Sequence, residues 1–427
     1  MNNEETLEYI HTVNWRGSKL GLERITELLS RMGNPQDGLR FVHVAGTNGK
    51  GSVSAMTASV LKEAGYKTGL YISPFIVRFN ERMQINGEEI SDKELCETVE
   101  YVKNIAEAME NLPTEFEIVC AVAMEYFKRN ACDIVVLEVG LGGRLDATNV
   151  IKTPAVSVIT SIDFDHMREL GNTLTEIAGE KCGIIKRGVP TVSYQQADEA
   201  RAVIERVAAE KNSALVFCDF ERINEKESSL KGQLFDYKDR KDLFIKLLGK
   251  HQLKNASLAL DTIDVLRAAG FSIDEDAVRR GLEKTVWQGR FQLLCESPVF
   301  ILDGAHNPEG IAAAVAAARE YLPERDITVL IGVLGDKDYE KMLGVVNGIA
   351  ARFVASEPQS PRRLPCKELA ELLRGFGKDV YEEQNVSYAV KRAISLAREH
   401  CGAVVSLGSL YMAGEVLSCF KGAQDEL

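Results

Sequence analysis

Short apolar runs alternate with longer stretches of helical period along almost the whole of this chain. The runs "RFVHVAG" (40–46), "KTGLYIS" (67–73), "DIVVLEVG" (133–140), "PAVSVITSI" (154–162) and "VPTVSY" (189–194) have the length of strands. Runs this uniformly apolar mark strands covered on both faces, as in a parallel sheet. Between them, 50–64, 91–109, 115–129 and 174–186 read as helices. Strand and helix in alternation predict βαβ units and a doubly wound, mostly parallel sheet. Residues 219–246 are charged, with apolar positions alternating near their end, and are expected to form a peripheral hairpin region.

A second series starts near residue 299 with "VFILDG", "DITVLIGVL", "ARFVASE" and "GAVVSLGS", separated by helical segments such as "EGIAAAVAAAREYL" (309–322). It predicts a smaller α/β domain of about 130 residues. The joint is expected near "CESPVF" (295–300), giving domains 1–295 and 299–427.

Composition narrows the class. The 427 residues are 45% hydrophobic and 27% charged with a net charge of -12, which fits a globular protein and argues against a nucleic-acid surface. No apolar run approaches the ~20 residues of a membrane span, and the acidic start "MNNEETLEYIHTV" lacks the apolar core of a signal peptide. Nine cysteines without a C-x-x-C pair, most in apolar surroundings such as Cys120 in "EIVCAVAM", point to reduced thiols. The expectation is a cytoplasmic protein with neither membrane nor nucleic-acid partner.

Chemistry enters at "FVHVAGTNGKGSVSAM" (41–56). The common phosphate-binding loop reads G-x-x-x-x-G-K-[ST]. Here Val44 stands at the first glycine, and Gly51 separates Lys50 from Ser52. The context is nevertheless that of a nucleotide cradle: an apolar strand precedes the loop and a helical pattern follows it. Gly46, Gly49 and Gly51 let backbone N–H groups face a phosphate closely. Lys50 adds a cation, Ser52 a hydroxyl for magnesium, and the helix start a partial positive charge. In "DIVVLEVGLGGRLDATN", Glu138 closes an apolar strand, where a parallel sheet gathers its ligands. Such an acid either holds magnesium or pairs with Arg144.

These stretches together resemble the folylpolyglutamate synthase/dihydrofolate synthase family of the Mur ligase superfamily. The similarity runs through "SPFIVRFNERMQINGEEI" (73–90), "TSIDFDHMRELGNTLTEIAGEKCGIIKRG" (160–188), "HQLKNASLAL" (251–260), "WQGRFQ" (287–292), "DGAHNPEG" (303–310), "GVLGDKDY" (332–339) and "GSLYMAGEV" (408–416). It implies an N-terminal P-loop domain, a C-terminal Rossmann-like domain, and ATP-driven joining of a carboxylate to an amine.

By the same resemblance, Gly46, Thr47, Asn48, Gly49, Lys50, Gly51 and Ser52 hold ATP. Asn255 contacts adenine, while Arg290 and Asp303 meet the nucleotide from the second domain. Magnesium falls to Ser73, Glu138, His166 and Lys181, the lysine as a carbamate. Read as isolated residues, Ser73 is a turn serine, His166 a core histidine and Lys181 a surface lysine paired with a helical acid. Magnesium's preference for oxygen leaves His166 resting on the resemblance. His306 faces the reacting carboxylate or the incoming glutamate. Lys50, Glu138, His166, Lys181 and His306 form the expected catalytic set. Four of six histidines, His43, His166, His251 and His306, fall inside these motifs.

Phe116 and Glu117 of "FEIV" and Leu145, Asp146 and Ala147 of "RLDATN" match the pterin-lining segments. Phe116 stands equally as a core residue. In "SKLGLERI" (18–25), Lys19 replaces the acid that some dihydropteroate-using members carry. The implied substrates are L-glutamate with folate or dihydropteroate, and the implied assembly is a monomer. Two rivals stand beside this reading. One is another Mur-type ligase, disfavoured by "LDATN" and by a phosphate loop arriving at residue 46, ahead of which a UDP-binding domain has no room. The other is a P-loop ATPase switch, which leaves Asp303 and His306 without a purpose.

Overall fold

The computed structural model describes residues 1–12 and 21–422, so Lys19 lies outside the described residues. The chain forms two compact units. The first comprises Met1–Ile223, Tyr237–Leu243 and Lys254–Thr285; the second comprises Asn224–Asp236, Phe244–Leu253 and Val286–Leu427.

The first unit holds an eight-stranded sheet. Its strands are β1 (Phe41–Ala45), β2 (Thr68–Tyr71), β3 (Met83–Ile85), β4 (Glu88–Glu89), β5 (Ile134–Glu138), β6 (Val156–Ile159), β7 (Thr191–Ser193) and β8 (Leu215–Phe217). They lie in the order β4-β3-β2-β5-β1-β6-β7-β8. Pairing is parallel from β2 to β8, with β3 and β4 added antiparallel at one edge. Every residue of β1 and β5 is buried, as their unbroken apolar runs require. One apolar cluster packs Phe41, Tyr71, Val135 and Leu137 against the helices Asp92–Ala106 and Glu115–Arg129. Another joins Ala45, Val139 and Ile159 to the helices Leu174–Lys181 and Asp198–Glu210.

The charged region at 219–246 forms β9 (Ile223–Ser229), β10 (Gly232–Tyr237) and β11 (Arg240–Ile245), a three-stranded sheet of order β11-β10-β9.

The second unit holds β12 (Gln292–Glu296), β13 (Val299–Leu302), β14 (Ile327–Ile331), β15 (Arg352–Ala355), β16 (Asp379–Glu382) and β17 (Ala403–Leu407) in the order β12-β13-β17-β14-β15-β16. All pairs are parallel except β12–β13. That antiparallel pair explains why the compact units part at Thr285/Val286, ahead of the joint read near 295–300. β12 is hydrogen-bonded into the second sheet and travels with it.

Two local differences have physical causes. The helix expected over 174–186 ends at Lys181, followed by a 3₁₀ turn at Cys182–Ile184. A β-carbon on Gly183 would run into the Arg144 backbone, so the chain leaves the helix where it passes that segment. The helix Lys50–Glu63 is buried along nearly its whole length instead of on one stripe. Its outer side packs on the helix Glu275–Lys284, where Gly281 lies directly against Val60: a β-carbon there would meet Val60 Cγ2 at 2.7 Å and clash with Val60 Cα. The Ser59 hydroxyl donates to the Gly281 carbonyl at 2.7 Å. Gly281→Val is expected to lower stability by about 1–3 kcal/mol through overpacking, read as a reduced urea midpoint with unchanged slope.

Candidate active site

The phosphate loop is the turn from β1 into the helix Lys50–Glu63. Gly46 and Gly49 have φ of 153° and 88°. A β-carbon on Gly46 would collide with the Thr160 side chain, and one on Gly49 would lie 2.6 Å from Asn255 Oδ1. Glycine is therefore needed here for both conformation and space. The loop is pinned from the side. Thr47 N donates to the Ser161 carbonyl (2.6 Å), Thr47 Oγ1 donates to the Asp163 carbonyl (3.0 Å), and Ser161 Oγ donates to the Asn48 carbonyl (3.3 Å).

Two lysines converge on this turn. Lys50 Nζ donates to the carbonyls of Gly46 and Thr47, each at 3.1 Å, and Lys181 Nζ donates to the same Gly46 carbonyl at 2.8 Å. Lys181 is 3% exposed, which corrects its reading as a surface lysine paired with a helical acid. Its ammonium reaches the phosphate loop from the last residue of its helix. Burial, then repulsion from Lys50, pull its ammonium down to about 7, against an opposing pull from Asp165. A large neutral fraction at neutral pH is the form that adds CO2.

Glu138 ends β5 with its carboxylate buried, paired across the sheet with Val44, two residues before Gly46. Ser73 N donates to Glu138 Oε2 at 3.2 Å, so these two expected ligands adjoin. His166 caps the short helix Met167–Leu170 at a φ of 49°, its backbone N–H donating to Asp165 Oδ1 at 2.9 Å. Its imidazole is about half exposed, not the core histidine that its sequence context alone allowed. Asn255 is buried, and its Oδ1 accepts the hydroxyl of Tyr194.

Of the residues expected to line the pterin, Phe116 is partly buried and meets Tyr71 edge-on at 6.4 Å. Glu117 is the third residue of the helix Glu115–Arg129. Its Oε2 accepts from Thr114 N (2.7 Å), Thr114 Oγ1 (2.9 Å) and Arg24 Nε (3.0 Å). Leu145 is half-buried and Ala147 buried. Asp146 is buried too, its carboxylate accepting from Leu141 N (2.9 Å), Thr148 N (3.0 Å) and Thr148 Oγ1 (2.5 Å). Burial raises its pKa against these bonds. Because the Thr148 hydroxyl donates to Asp146, it must accept from His43 Nε2 at 2.9 Å. That contact fixes the His43 tautomer. Complete burial, reinforced by Lys186, takes His43 down to about 3.

In the second unit, Asp303 follows β13. Its Oδ2 accepts from Phe291 N at 2.8 Å and its Oδ1 from Ala305 N at 2.7 Å. Burial raises its pKa, with Arg290 opposing. Arg290 itself donates to the Gly289 carbonyl at 3.2 Å. His306 Nδ1 faces the Gly304 carbonyl at 2.9 Å. A carbonyl only accepts, so the proton is on Nδ1, and Nε2 is the basic nitrogen of the neutral ring.

Comparison with known proteins now decides the class. Residues 44–263 match the Mur ligase middle domain, and 289–410 match the Mur ligase, glutamate ligase domain. The chain is 36% identical to folylpolyglutamate synthase of Lacticaseibacillus casei over 99% of its length and all of that protein's. It is 37% identical to dihydrofolate synthase/folylpolyglutamate synthase of Bacillus subtilis, covering 98% and 99% of the two chains. The chain belongs to the folylpolyglutamate synthase/dihydrofolate synthase family of Mur ligases. Mycobacterium tuberculosis folylpolyglutamate synthase complexed with ADP and AMPPCP superposes with a TM-score of 0.90 at 29% identity, over 98% of this chain and 99% of that one.

As a member of that family the chain must accommodate magnesium. Among the described residues no three His, Cys, Asp or Glu side chains gather as a metal cluster. That fits an ion that takes one or two protein oxygens and completes its shell with phosphate and water. Glu138, whose carboxylate accepts from Ser73 N, would supply such oxygens at the end of the strand next to the loop. Lys181 as an amine is a donor; only as a carbamate does it become a ligand.

Motif reading missed the residues that hold these groups. Ser161 and Asp163 lie within the stretch 160–188, where nothing in their spacing marks them as supports of the loop. Thr114 with Glu117 spells S/T-x-x-E, a capping box that announces the helix start and was legible in advance. The Thr148 and Tyr194 contacts leave no spacing signal.

The two buried bases tilt the protein's stability in the same direction, upward with pH, over two separate windows. Between about 7 and 10.5 the unfolded chain keeps the Lys181 proton that the folded chain has lost, so stability rises with pH across that window. Between 6.5 and about 3 the unfolded chain protonates His43 while the folded chain does not, so stability falls with acid. Each slope is about 1.4 kcal/mol per pH unit. Denaturant titrations of Lys181→Met in CO2-free buffer should flatten the alkaline limb alone; an unaltered limb would remove Lys181 as its source.

Proposed function

We propose that this chain is an ATP-dependent carboxylate–amine ligase that adds L-glutamate to folates, and that it also serves dihydropteroate as a dihydrofolate synthase. The observation carrying this reading is the phosphate loop with Lys50 and Lys181 on the Gly46 carbonyl and Glu138 in register beside it.

A carboxylate resists amines because oxide is a poor leaving group. Transfer of the γ-phosphoryl group from ATP to the folate carboxylate makes an acyl phosphate, whose leaving group is inorganic phosphate. The glutamate amine attacks, a tetrahedral intermediate forms, and the amide, ADP and phosphate result. This chemistry asks the protein for alignment and charge compensation more than for a nucleophile.

In this reading the backbone N–H groups of Gly46, Thr47, Asn48, Gly49, Lys50, Gly51 and Ser52 bind the phosphates, and Lys50 balances charge on the transferred group. Asn255 meets adenine, Asp303 the ribose and Arg290 a phosphate, where a planar guanidinium is suited. Magnesium, held by Ser73, Glu138, His166 and carbamylated Lys181, would neutralise phosphate oxygens. Phe116, Glu117, Leu145, Asp146 and Ala147 receive the pterin. His306 Nε2, the ring nitrogen without the proton, would take the proton of the attacking amine. The domain assignment 1–295 for nucleotide binding and 299–427 for glutamate ligation belongs to the same proposal.

The proposed setting is the cytoplasm, as a monomer without nucleic-acid or membrane partners. All nine cysteines are free, six of them buried, in keeping with a reducing compartment. No helix among the described residues is long and apolar enough to cross a membrane.

ATP turnover should require folate and glutamate together; turnover with ATP alone would favour a switch, and elongation of some other carboxylate would favour a different Mur-type ligase. Lys50→Ala is expected to lower kcat by at least ~100-fold while leaving the melting temperature within a few degrees. Glu138→Gln should shift the magnesium concentration for half-maximal rate upward, and an unmoved titration would remove Glu138 from the metal.

A further inference from the structure

We infer that Tyr194 sets the nucleobase preference of the first unit by fixing which end of the Asn255 amide is oxygen. The inference rests on the ligase reading above, in which Asn255 meets adenine.

Tyr194 is the first residue beyond β7, at the end where a parallel sheet gathers its ligands. The segment it opens is bound to the one after β6. Tyr194 N donates to the Ile159 carbonyl (3.0 Å), Gln196 Nε2 to the Thr160 carbonyl (2.8 Å), and Ile162 N to Gln196 Oε1 (3.1 Å). Ser161 and Asp163 of that neighbouring segment also hold the phosphate loop. The tyrosine backbone and the loop therefore share one support.

The ring is held as firmly. Tyr194 is 7% exposed and meets Phe220 edge-on, with centroids 5.0 Å apart and planes at 86°. Lys254 Nζ, one residue before Asn255, stands 5.4 Å from the Phe220 ring centre. From this seat the Tyr194 hydroxyl donates to Asn255 Oδ1. The same oxygen would be 2.6 Å from a β-carbon on Gly49, and Asn255 Nδ2 3.6 Å from it. The buried amide is thus wedged between the phosphate loop and a phenol.

A side-chain amide is nearly symmetric in shape, yet its two ends carry opposite chemistry: oxygen accepts and nitrogen donates. Adenine has an amino donor at its 6-position, where hypoxanthine has an oxo acceptor. With its oxygen toward that position the amide pairs with adenine; flipped, it pairs its nitrogen with the oxo group of hypoxanthine. Orientation is therefore selectivity. A phenol donates more readily than it accepts, because conjugation with the ring withdraws its lone pair, so Tyr194 keeps the oxygen end on its side. An amide oxygen has two lone pairs, and this bond is compatible with a second one from the 6-amino group. The mismatched base would leave buried polar groups unpaired. Tyr194 acts through Asn255 and is a positioning residue.

The test is equilibrium binding of ADP and IDP, each with magnesium, to the full chain, beside turnover of ATP in the presence of folate and glutamate. Wild type should bind ADP at least ~100-fold more tightly than IDP. Tyr194→Phe removes one hydroxyl and keeps the ring. It should compress that ratio about tenfold, the worth of one hydrogen bond, by weakening ADP and strengthening IDP, with the melting temperature within a few degrees. In an Asn255→Ala background the same substitution should leave the ratio unmoved. A wild-type ratio near one overturns the inference. So does a Tyr194→Phe variant whose two Kd values rise together, since that marks a structural role, and so does a change of ratio that persists without Asn255. In each of these cases folate- and glutamate-dependent turnover by the wild type leaves the ligase reading standing. A wild type that binds neither nucleotide overturns the ligase reading itself.

Discussion

Two ammonium groups share one backbone oxygen at the head of the first sheet. Lys50 comes from the helix that begins there and Lys181 from a helix 131 positions later in the chain, and both donate to the carbonyl of Gly46. Like charges this close in a poorly solvated place repel strongly. Burial first, and then this repulsion, draws the Lys181 ammonium toward neutrality. What remains is a pre-built demand for negative charge, met in the proposed reaction by the triphosphate and by a carbamate. β1 puts Gly46 in place, β5 puts Glu138 beside it, and the segment 160–163 stops the turn from relaxing.

The same demand explains why the loop departs from the common spacing. With Gly51 after Lys50, the second residue of the helix carries no side chain, and Ser52 is buried. The loop gains closeness to its surroundings at Gly46 and Gly49, where Thr160 and Asn255 fill the space a β-carbon would take. The cradle is therefore shaped by residues more than a hundred positions away, and the glycines record their presence.

Legibility in the sequence followed the range of the forces. The helix over 115–129 was readable to its termini because Thr114 and Glu117 cap it locally. The strands were readable because full burial demands unbroken apolar runs. The boundary of the second unit was not, because β12 owes its allegiance to pairing with β13 across a short turn and carries no compositional mark. Lys181, taken as an isolated residue, reads as a surface lysine for the same reason: its burial comes from the approach of Gly46, 135 residues away, and nothing in "GEKCGIIKRG" announces it. Phosphate-loop glycines, Glu138 and the "DGAHNP" segment stood out because chemistry there constrains several neighbouring residues at once. His43, Thr148 and Tyr194 act singly through one contact each, and single contacts leave no pattern.

The backbone-to-backbone touch of Gly281 and Val60 carries an evolutionary consequence. With no spare volume in that seam, the two positions cannot drift independently. A side chain can appear at 281 only if the helix Lys50–Glu63 shrinks or slides, and sliding would move Lys50. Lineages of this protein should therefore record substitutions there as pairs, although neither residue touches a reactant.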